Sequence, residues 1–380
     1  MTDCRHFPAC SGCDLLDWPY RVQLEEKYSY MRDLFSRFRD VYVHEVLPSN
    51  PNLHYRHKVQ LTFALDRNEG SAPSLILGIH RKDYSGLINQ RECRIQDQDL
   101  TETAFAVRDW AFRNRIPVWN KYTGRGMIRN IVLRRSLHTG EILAGIVTGG
   151  REDLPKISGL ADMISERLKK SVLSGIVQNI NPEKTDMVLG DESRTVFGKE
   201  HITEHLNEFR FRAGLDTFVQ VNPYQAPFLY EKAVELIPES SRVAEAYSGI
   251  GTLTHMIARK AKSVTAVELN GKSVEAGRKA ALENGMKNIR FIQGDAAEIL
   301  GSAGRADCIV LDPPRTGLHF SMIKKLIKYN AKSIIYISCD PVTLERDAWN
   351  LRNAYRLLDI QPVDMFPHTN HIESVACFSS

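Results

Sequence analysis

The chain has 380 residues, of which 43% are hydrophobic and 25% charged, and its formal net charge is +4. That length suits two or three domains, and the composition is globular rather than fibrous or disordered. No apolar run reaches about 18 residues, and MTDCRHFPACSGCDLLDW has no basic segment leading into an apolar core, so neither a membrane span nor a secretory signal is expected, and a cytoplasmic location is.

Residues 1–16 form a short segment with Cys4, Cys10 and Cys13 at C-x5-C-x2-C spacing, and Cys93 could supply a fourth thiolate when the chain returns. Seven cysteines in a cytosolic chain argue against a disulfide framework. Four thiolates suit a [4Fe–4S] cluster or zinc, and spacing alone does not separate the two. Residues 17–44 are expected to link this segment onward through an amphipathic helix over 20–39, with Met31, Leu34, Phe35 and Phe38 on one stripe.

Residues 45–207 read mostly as β. Val59, Leu61, Phe63 and Leu65 alternate with polar residues, LILGI follows a loop, and MIRNIVLRR and EILAGIVTG predict a hairpin around His138-Thr139-Gly140. A helix over about 153–169 and a strand at SGIVQNI complete this part. Within it, Arg108, Arg113, Arg115, Lys121, Arg125, Arg129, Arg134 and Arg135 are interleaved with Trp110, Phe112, Trp119 and Tyr122. Cations beside rings suit phosphates and stacked bases, so an RNA surface is one reading, and a solvated strand–loop face is the other. HYRHK at 54–58 adds a second basic cluster.

Residues 208–380 change period. SRVAEAY, SVTAVEL, NIRFIQGD, DCIVLDPP and SIIYISC alternate with helices, which predicts parallel βαβ units in a doubly wound α/β sheet. Ligands bind such sheets at the carboxyl ends of the strands. The first strand ends in AYSGIGTLT with Gly249 and Gly251, the second at Glu268, placed to bind ribose hydroxyls, and the third at Gly294-Asp295. Thr252-Leu253 stands where a dinucleotide fingerprint has its last glycine, which favours S-adenosylmethionine (SAM), a ligand without a pyrophosphate. The fourth strand ends in LDPPRTGL, whose two prolines stiffen the turn after Asp312. Asp-Pro-Pro also occurs in adenine amino-methyltransferases, usually followed by an aromatic residue, but Arg315 follows here.

The fifth strand ends in SCDPVTLERD, with Cys339 at the same sheet end as Asp312. A thiol is useful there if the acceptor carbon cannot attack a methyl donor unaided, as for C5 of uracil, which becomes nucleophilic once a thiolate adds to C6. Arg315 is a candidate for assisting thiol ionisation. FPHTNHIESVACF supplies Glu373 as a candidate base, with His368 and His371 nearby. Cys308 and Cys377 sit in apolar strand runs and are expected to pack.

SCDPVTLERD, DPPRTGL, FPHTNHIESV and FVQVNPYQ together resemble the RNA 5-methyluridine methyltransferases, particularly the iron–sulfur bacterial enzymes that modify 23S ribosomal RNA, over nearly the whole chain. The resemblance implies a class I SAM-dependent methyltransferase domain over 208–380, a β-rich RNA-binding domain over 45–207 and an N-terminal iron–sulfur cysteine knot. It implies Cys339 as nucleophile and Glu373 as base, with Gln220, Tyr247, Glu268 and Asp312 lining the SAM site and Gln220 or Asp312 able to reach the uracil edge. It favours a [4Fe–4S] cluster on Cys4, Cys10, Cys13 and Cys93. The TRAM domain of some relatives is expected to be absent, and the protein to be a monomer. Three alternatives stand beside it: the T-loop uridine of transfer RNA as target, an iron–sulfur RNA-binding protein with a vestigial methyltransferase fold, and an adenine amino-methyltransferase.

Overall fold

The computed structural model describes residues 4–66, 74–300 and 304–380. In chain order its elements begin α1 (Tyr20–Leu34), β1 (Tyr42–Val43), β2 (Lys58–Asp66), β3 (Ser74–His80), β4 (Leu87–Asn89), α2 (Gln98–Arg113), β5 (Ile128–Arg135), β6 (Glu141–Thr148), α3 (Ile157–Arg167) and β7 (Val172–Ile180). There follow β8 (Glu192–Gly198), β9 (Ile202–Leu206), β10 (Phe209–Ala213), α4 (Ala226–Glu235), β11 (Arg242–Ala246), α5 (Thr252–Lys260), β12 (Ser263–Glu268), α6 (Gly271–Glu283) and β13 (Ile289–Gln293). The chain closes with α7 (Ala296–Ile299), β14 (Cys308–Leu311), α8 (Phe320–Tyr329), β15 (Ser333–Ser338), α9 (Pro341–Leu351), β16 (Arg356–Val363) and β17 (Glu373–Ser379). No helix among the described residues is long and apolar enough to cross a membrane.

Two compact units result. Met1–Asp17, Leu53–His205 and Arg212–Asp216 make the first; Trp18–Asn52, Leu206–Phe211 and Thr217–Ser380 make the second. The first holds a seven-stranded sheet in the order β4-β3-β2-β5-β6-β7-β8, antiparallel except for the β6–β7 pair, which α3 connects. The expected hairpin is β5–β6, and every residue of β5 is buried because the strand is central. Helix α2 was not expected. Its Asp97 cap accepts the Leu100 N–H at 3.1 Å, and Leu100, Ala104, Val107 and Ala111 are buried at helical spacing. The β-formers in QDLTETAFAVRDWAFR obscured that period, and Trp110, only 1% exposed, belongs to this core.

The second unit holds an eight-stranded sheet in the order β1-β16-β17-β15-β14-β11-β12-β13. All pairings are parallel except those of β17 with β15 and with β16. The chain winds outward from β11 to β13 and then returns to β14, so the order reverses between β11 and β14, where an open α/β sheet forms its ligand crevice. Side chains alternate between two cores. Ile309, Leu311, Ile334 and Tyr336 enter one, while Cys308, Val310, Ile335 and Ile337 enter the other. Cys308 is fully buried, as expected of a packing residue, while Cys377 packs at the margin of its core.

Candidate functional site

The carboxyl ends of β11, β12, β14 and β15, with the start of antiparallel β17, bring the expected residues together. Ser338 pairs with Ser374 across β15 and β17, so Cys339 and Glu373, one residue further toward the crevice, leave neighbouring strands at the same end. The turn at Cys339 is tightly built. Ser338 Oγ accepts the Asp340 N–H and donates to the Asp340 carbonyl, and the Asp340 side chain accepts the N–H groups of Val342 and Thr343 to cap α9. Pro341 opens the helix, where no N–H is needed. A strand that ends on a thiol before Asp-Pro is therefore a strand-to-helix turn that offers the sulfur at the sheet end.

Electrostatics couple these groups. Burial pushes the Cys339 thiol up to about 11, the negative charges of Glu373 and Asp312 add to this, and Arg315 opposes it. Arg315 thus acts in the expected direction but is outweighed. Glu373 is 4% exposed, and burial, then Asp312, raise its pKa to about 8 against Arg315. Desolvation alone raises Asp312 to about 7. Arg315 Nη2 lies 3.5 Å from His371 Nε2. Three groups that would each carry negative charge thus share a poorly hydrated crevice, a setting suited to a cationic ligand.

Tyr247, Gly249, Glu268 and Asp295, expected to bind SAM, end or follow the strands β11, β12 and β13. Gly249 has a φ of +55°, and a Cβ there would meet nothing within 4 Å, so open space lies over its backbone. Gly251 differs: a Cβ would fall 2.5 Å from the Phe291 ring, so this glycine serves packing. Glu268 accepts the Gly249 N–H at 3.0 Å and the Asn270 N–H at 2.8 Å, which holds its carboxylate beside the glycine turn. Tyr247 adopts a φ of +65°, rare for a bulky side chain and characteristic of functional turns. Asp295 caps α7 by accepting the Ala297 N–H. Open space over Gly249 and a fixed acid beside it fit an adenosine-bearing donor.

Two residues here were not anticipated. Tyr230 on α4 is 3% exposed, hydrogen-bonds Gln220 and Thr252, and feels the charges of Asp312 and Glu373. Glu245 on β11 is 1% exposed, and burial raises its pKa to about 8 against a hydrogen bond to Thr254. A single acid inside the apolar run RVAEA was a readable signal for Glu245, whereas nothing local marks Tyr230.

The cysteine segment lies in the first unit, its backbone docked on β3 and the turn after it through Ser11 N–H to His80 O and Lys82 N–H to Ala9 O. Cys4, Cys10 and Cys93 each raise the pKa of Cys13, so the four sulfurs are within electrostatic reach. Backbone N–H groups point at two of them, from Gly12 to Cys10 and from Ile95 and Gln96 to Cys93. Nevertheless, among the described residues no group of three or more His, Cys, Asp or Glu side chains is arranged to hold a metal ion.

The basic stretch is also corrected. Arg129 donates to the carbonyls of Asn181, Glu183 and Thr185, Arg134 is 2% exposed near Glu204 and Asp216, and Arg135 binds Ser171 and Asp97. These three cations serve the fold. Arg113, Lys121, Phe112 and Tyr122 are exposed, and Arg115 and Arg125 also reach the surface.

The family described as tRNA (Uracil-5-)-methyltransferase matches residues 184–379. An uncharacterized RNA methyltransferase of Leptospira interrogans is 39% identical over 99% of this chain and 98% of its own. Another, from Caldanaerobacter subterraneus, is 34% identical over 98% of this chain and 83% of its own. Among solved structures, the tRNA (uracil-54, C5)-methyltransferase of Pyrococcus abyssi in complex with S-adenosyl-L-homocysteine superposes with a TM-score of 0.80 at 28% identity, over 98% of this chain and 86% of that one.

Proposed function

We propose the following course of reaction for this chain, which belongs to the tRNA (uracil-5-)-methyltransferase family and is a SAM-dependent RNA uracil-C5 methyltransferase. Cys339 is the nucleophile and Glu373 the base. The Cys339 thiolate adds to C6 of a uridine, forming an S–C6 bond and moving the C5=C6 electrons onto the C4 carbonyl as an enolate. SAM, when bound, supplies an electrophilic methyl group on a sulfonium, which C5 takes. Glu373 then removes the C5 proton, the C5=C6 bond re-forms, and the thiolate is expelled. Gln220, Tyr247, Gly249, Glu268, Asp295 and Asp312 form the donor site, with Gln220 or Asp312 also reaching the uracil edge. The target uridine is unpaired or flipped, because C6 is inaccessible inside a stacked helix.

The observation that carries this reading is the placement of a thiol and a buried carboxyl on adjacent strand ends, coupled to each other and to Arg315. Glu373→Gln is expected to accumulate an RNA adduct that survives denaturation, and Cys339→Ala to form none. Absence of adduct in both, on an RNA that the unaltered protein methylates, would overturn the assignment.

A uridine of 23S ribosomal RNA is the proposed target, on the motif resemblance. The second reading is the T-loop uridine of transfer RNA, favoured by the likeness to the Pyrococcus enzyme. Methylation of each RNA class separately decides between them. Cys4, Cys10, Cys13 and Cys93 are proposed to hold a [4Fe–4S] cluster, supported by their spacing and by the N–H groups directed at two sulfurs. No step of the reaction passes through it. Iron and acid-labile sulfide in anaerobically prepared protein test it. The protein is proposed to act as a cytoplasmic monomer.

A further inference from the structure

Helix α1 has one buried stripe whose two ends differ in character. Met31 and, at the C-cap, Phe35 enter the apolar core, as the hydrophobic stripe predicts. Toward the N-terminus the same stripe continues as Gln23 and Lys27, one turn apart and 0% and 3% exposed. Burying an amide and an ammonium is costly unless each finds partners. Theirs converge on the loop leading into β17.

Lys27 Nζ lies 2.7 Å from Asp364 Oδ1 and donates to the Phe366 carbonyl at 3.3 Å. Tyr20, at the start of α1, donates to the other Asp364 oxygen at 2.8 Å and accepts the Ser49 N–H at 2.7 Å. Gln23 Oε1 accepts the His368 N–H at 2.9 Å, and its Nε2 lies 3.0 Å from His368 Nδ1. His368 has a φ of +66°, a left-handed conformation that carries a steric cost for a residue with a Cβ. Asn222, fully buried and two residues after Gln220, donates to the Met365 carbonyl and to Ser49 Oγ, both at 3.1 Å.

We propose that the Tyr20–Gln23–Lys27 face of α1, with Asn222, positions the catalytic base: it locks the 364–372 loop and thereby fixes where Glu373 stands in the crevice. An apolar face would bury this helix as well or better, because a buried ion pair gains little over hydrophobic packing. Directional bonds instead specify the course of a loop that lies between the strands β16 and β17, and that loop delivers Glu373 as the first residue of β17. Geometry at this point matters for rate, since misplacing a reacting group by about 1 Å can cost about a hundredfold.

This inference rests on Glu373 being the base. Its test uses the full chain with an RNA that it methylates, and two separate variants. Gln23→Leu removes the grip on His368 together with the bond to the Trp18 carbonyl, and Lys27→Met with Asp364→Asn removes the ion pair without stranding a charge. For each, kcat, the KM for SAM, the melting temperature and the fraction of protein in a denaturation-resistant RNA adduct are measured, with Glu373→Gln as reference. The positioning role predicts a kcat lowered about tenfold or more, a KM for SAM within about twofold of the unaltered value, and an adduct fraction raised toward that of Glu373→Gln, because proton removal becomes slow after the adduct has formed. Unaltered kcat and adduct fraction, with only a lower melting temperature, would overturn it and leave α1 a purely structural helix. If Glu373→Gln itself turns over normally without adduct, the base assignment falls and the inference with it, an outcome visible in the reference alone.

Discussion

At Cys339, burial and two carboxyl groups oppose ionisation and one guanidinium favours it, so the thiol is protonated near neutral pH in the free protein. Glu373 is likewise protonated below about 8 and can accept a proton only once ionised. Both groups must lose a proton to act, so kcat/KM should rise with pH through about 8 and onward toward about 11, a rise that a pH–rate profile would show. Arg315→Met removes the cation that lowers both, and its profile should shift alkaline by about half a unit to one unit. The stability sign for Glu373 follows from its raised pKa. The unfolded chain releases this proton near 4.5 and the folded protein holds it to about 8, so stability present below 4.5 is lost progressively as pH rises across that window. Glu373→Gln escapes this loss and should be the more stable protein at pH 8, by about 2–4 kcal/mol in urea denaturation, while being inactive. Cys339, Glu268 and Asp312 were legible in the sequence because a parallel sheet makes the residue ending each apolar run the one that faces the crevice. Tyr230 was not, since a tyrosine on an amphipathic helix looks the same whether it packs against a core or against Gln220.

The glycine turn before α5 separates binding from packing. Gly249→Ala meets open space, so it should cost about 1–2 kcal/mol of conformational strain and mainly weaken SAM binding, as titration calorimetry would read. Gly251→Ala drives a methyl group into Phe291 at a φ of +84°, so it should lower the melting temperature first. Helix α9 is tied back to the turn that follows Asp312 through Asp347, which accepts the Leu318 N–H at 2.7 Å and the Tyr336 hydroxyl at 2.8 Å. The acid closing SCDPVTLERD therefore joins two motifs that the sequence displays separately. Helix α1 was legible by its apolar stripe alone; the polar end of that stripe is buried by partners more than 300 positions away, a pairing that no local period reveals. Helix α2 stayed hidden for a different reason, since Thr, Phe, Val and Trp favour strands until the Asp97 cap and the Leu100–Ala111 spacing are read together.

For the molecule as a whole, net charge is a poor guide to RNA binding, because burial divides the basic stretch. Arg129, Arg134 and Arg135 are structural, whereas Arg113, Arg115, Lys121 and Arg125 remain at the surface of the first unit. Replacing those four surface cations with glutamine should weaken RNA binding and flatten its salt dependence, by about 0.7 in log–log slope for each phosphate that is no longer neutralised, without unfolding the protein. Arg134→Gln should instead destabilise it, because Glu204 and Asp216 would be deprived of a buried counter-charge. The central claim concerns the atom that is methylated. It is tested most directly by incubating anaerobically prepared protein with SAM and unmodified ribosomal or transfer RNA in separate reactions, then digesting to nucleosides for mass spectrometry. The account predicts 5-methyluridine in one RNA class and its absence with Cys339→Ala. A methyl group on an exocyclic nitrogen, or 5-methyluridine formed undiminished by Cys339→Ala, would contradict it.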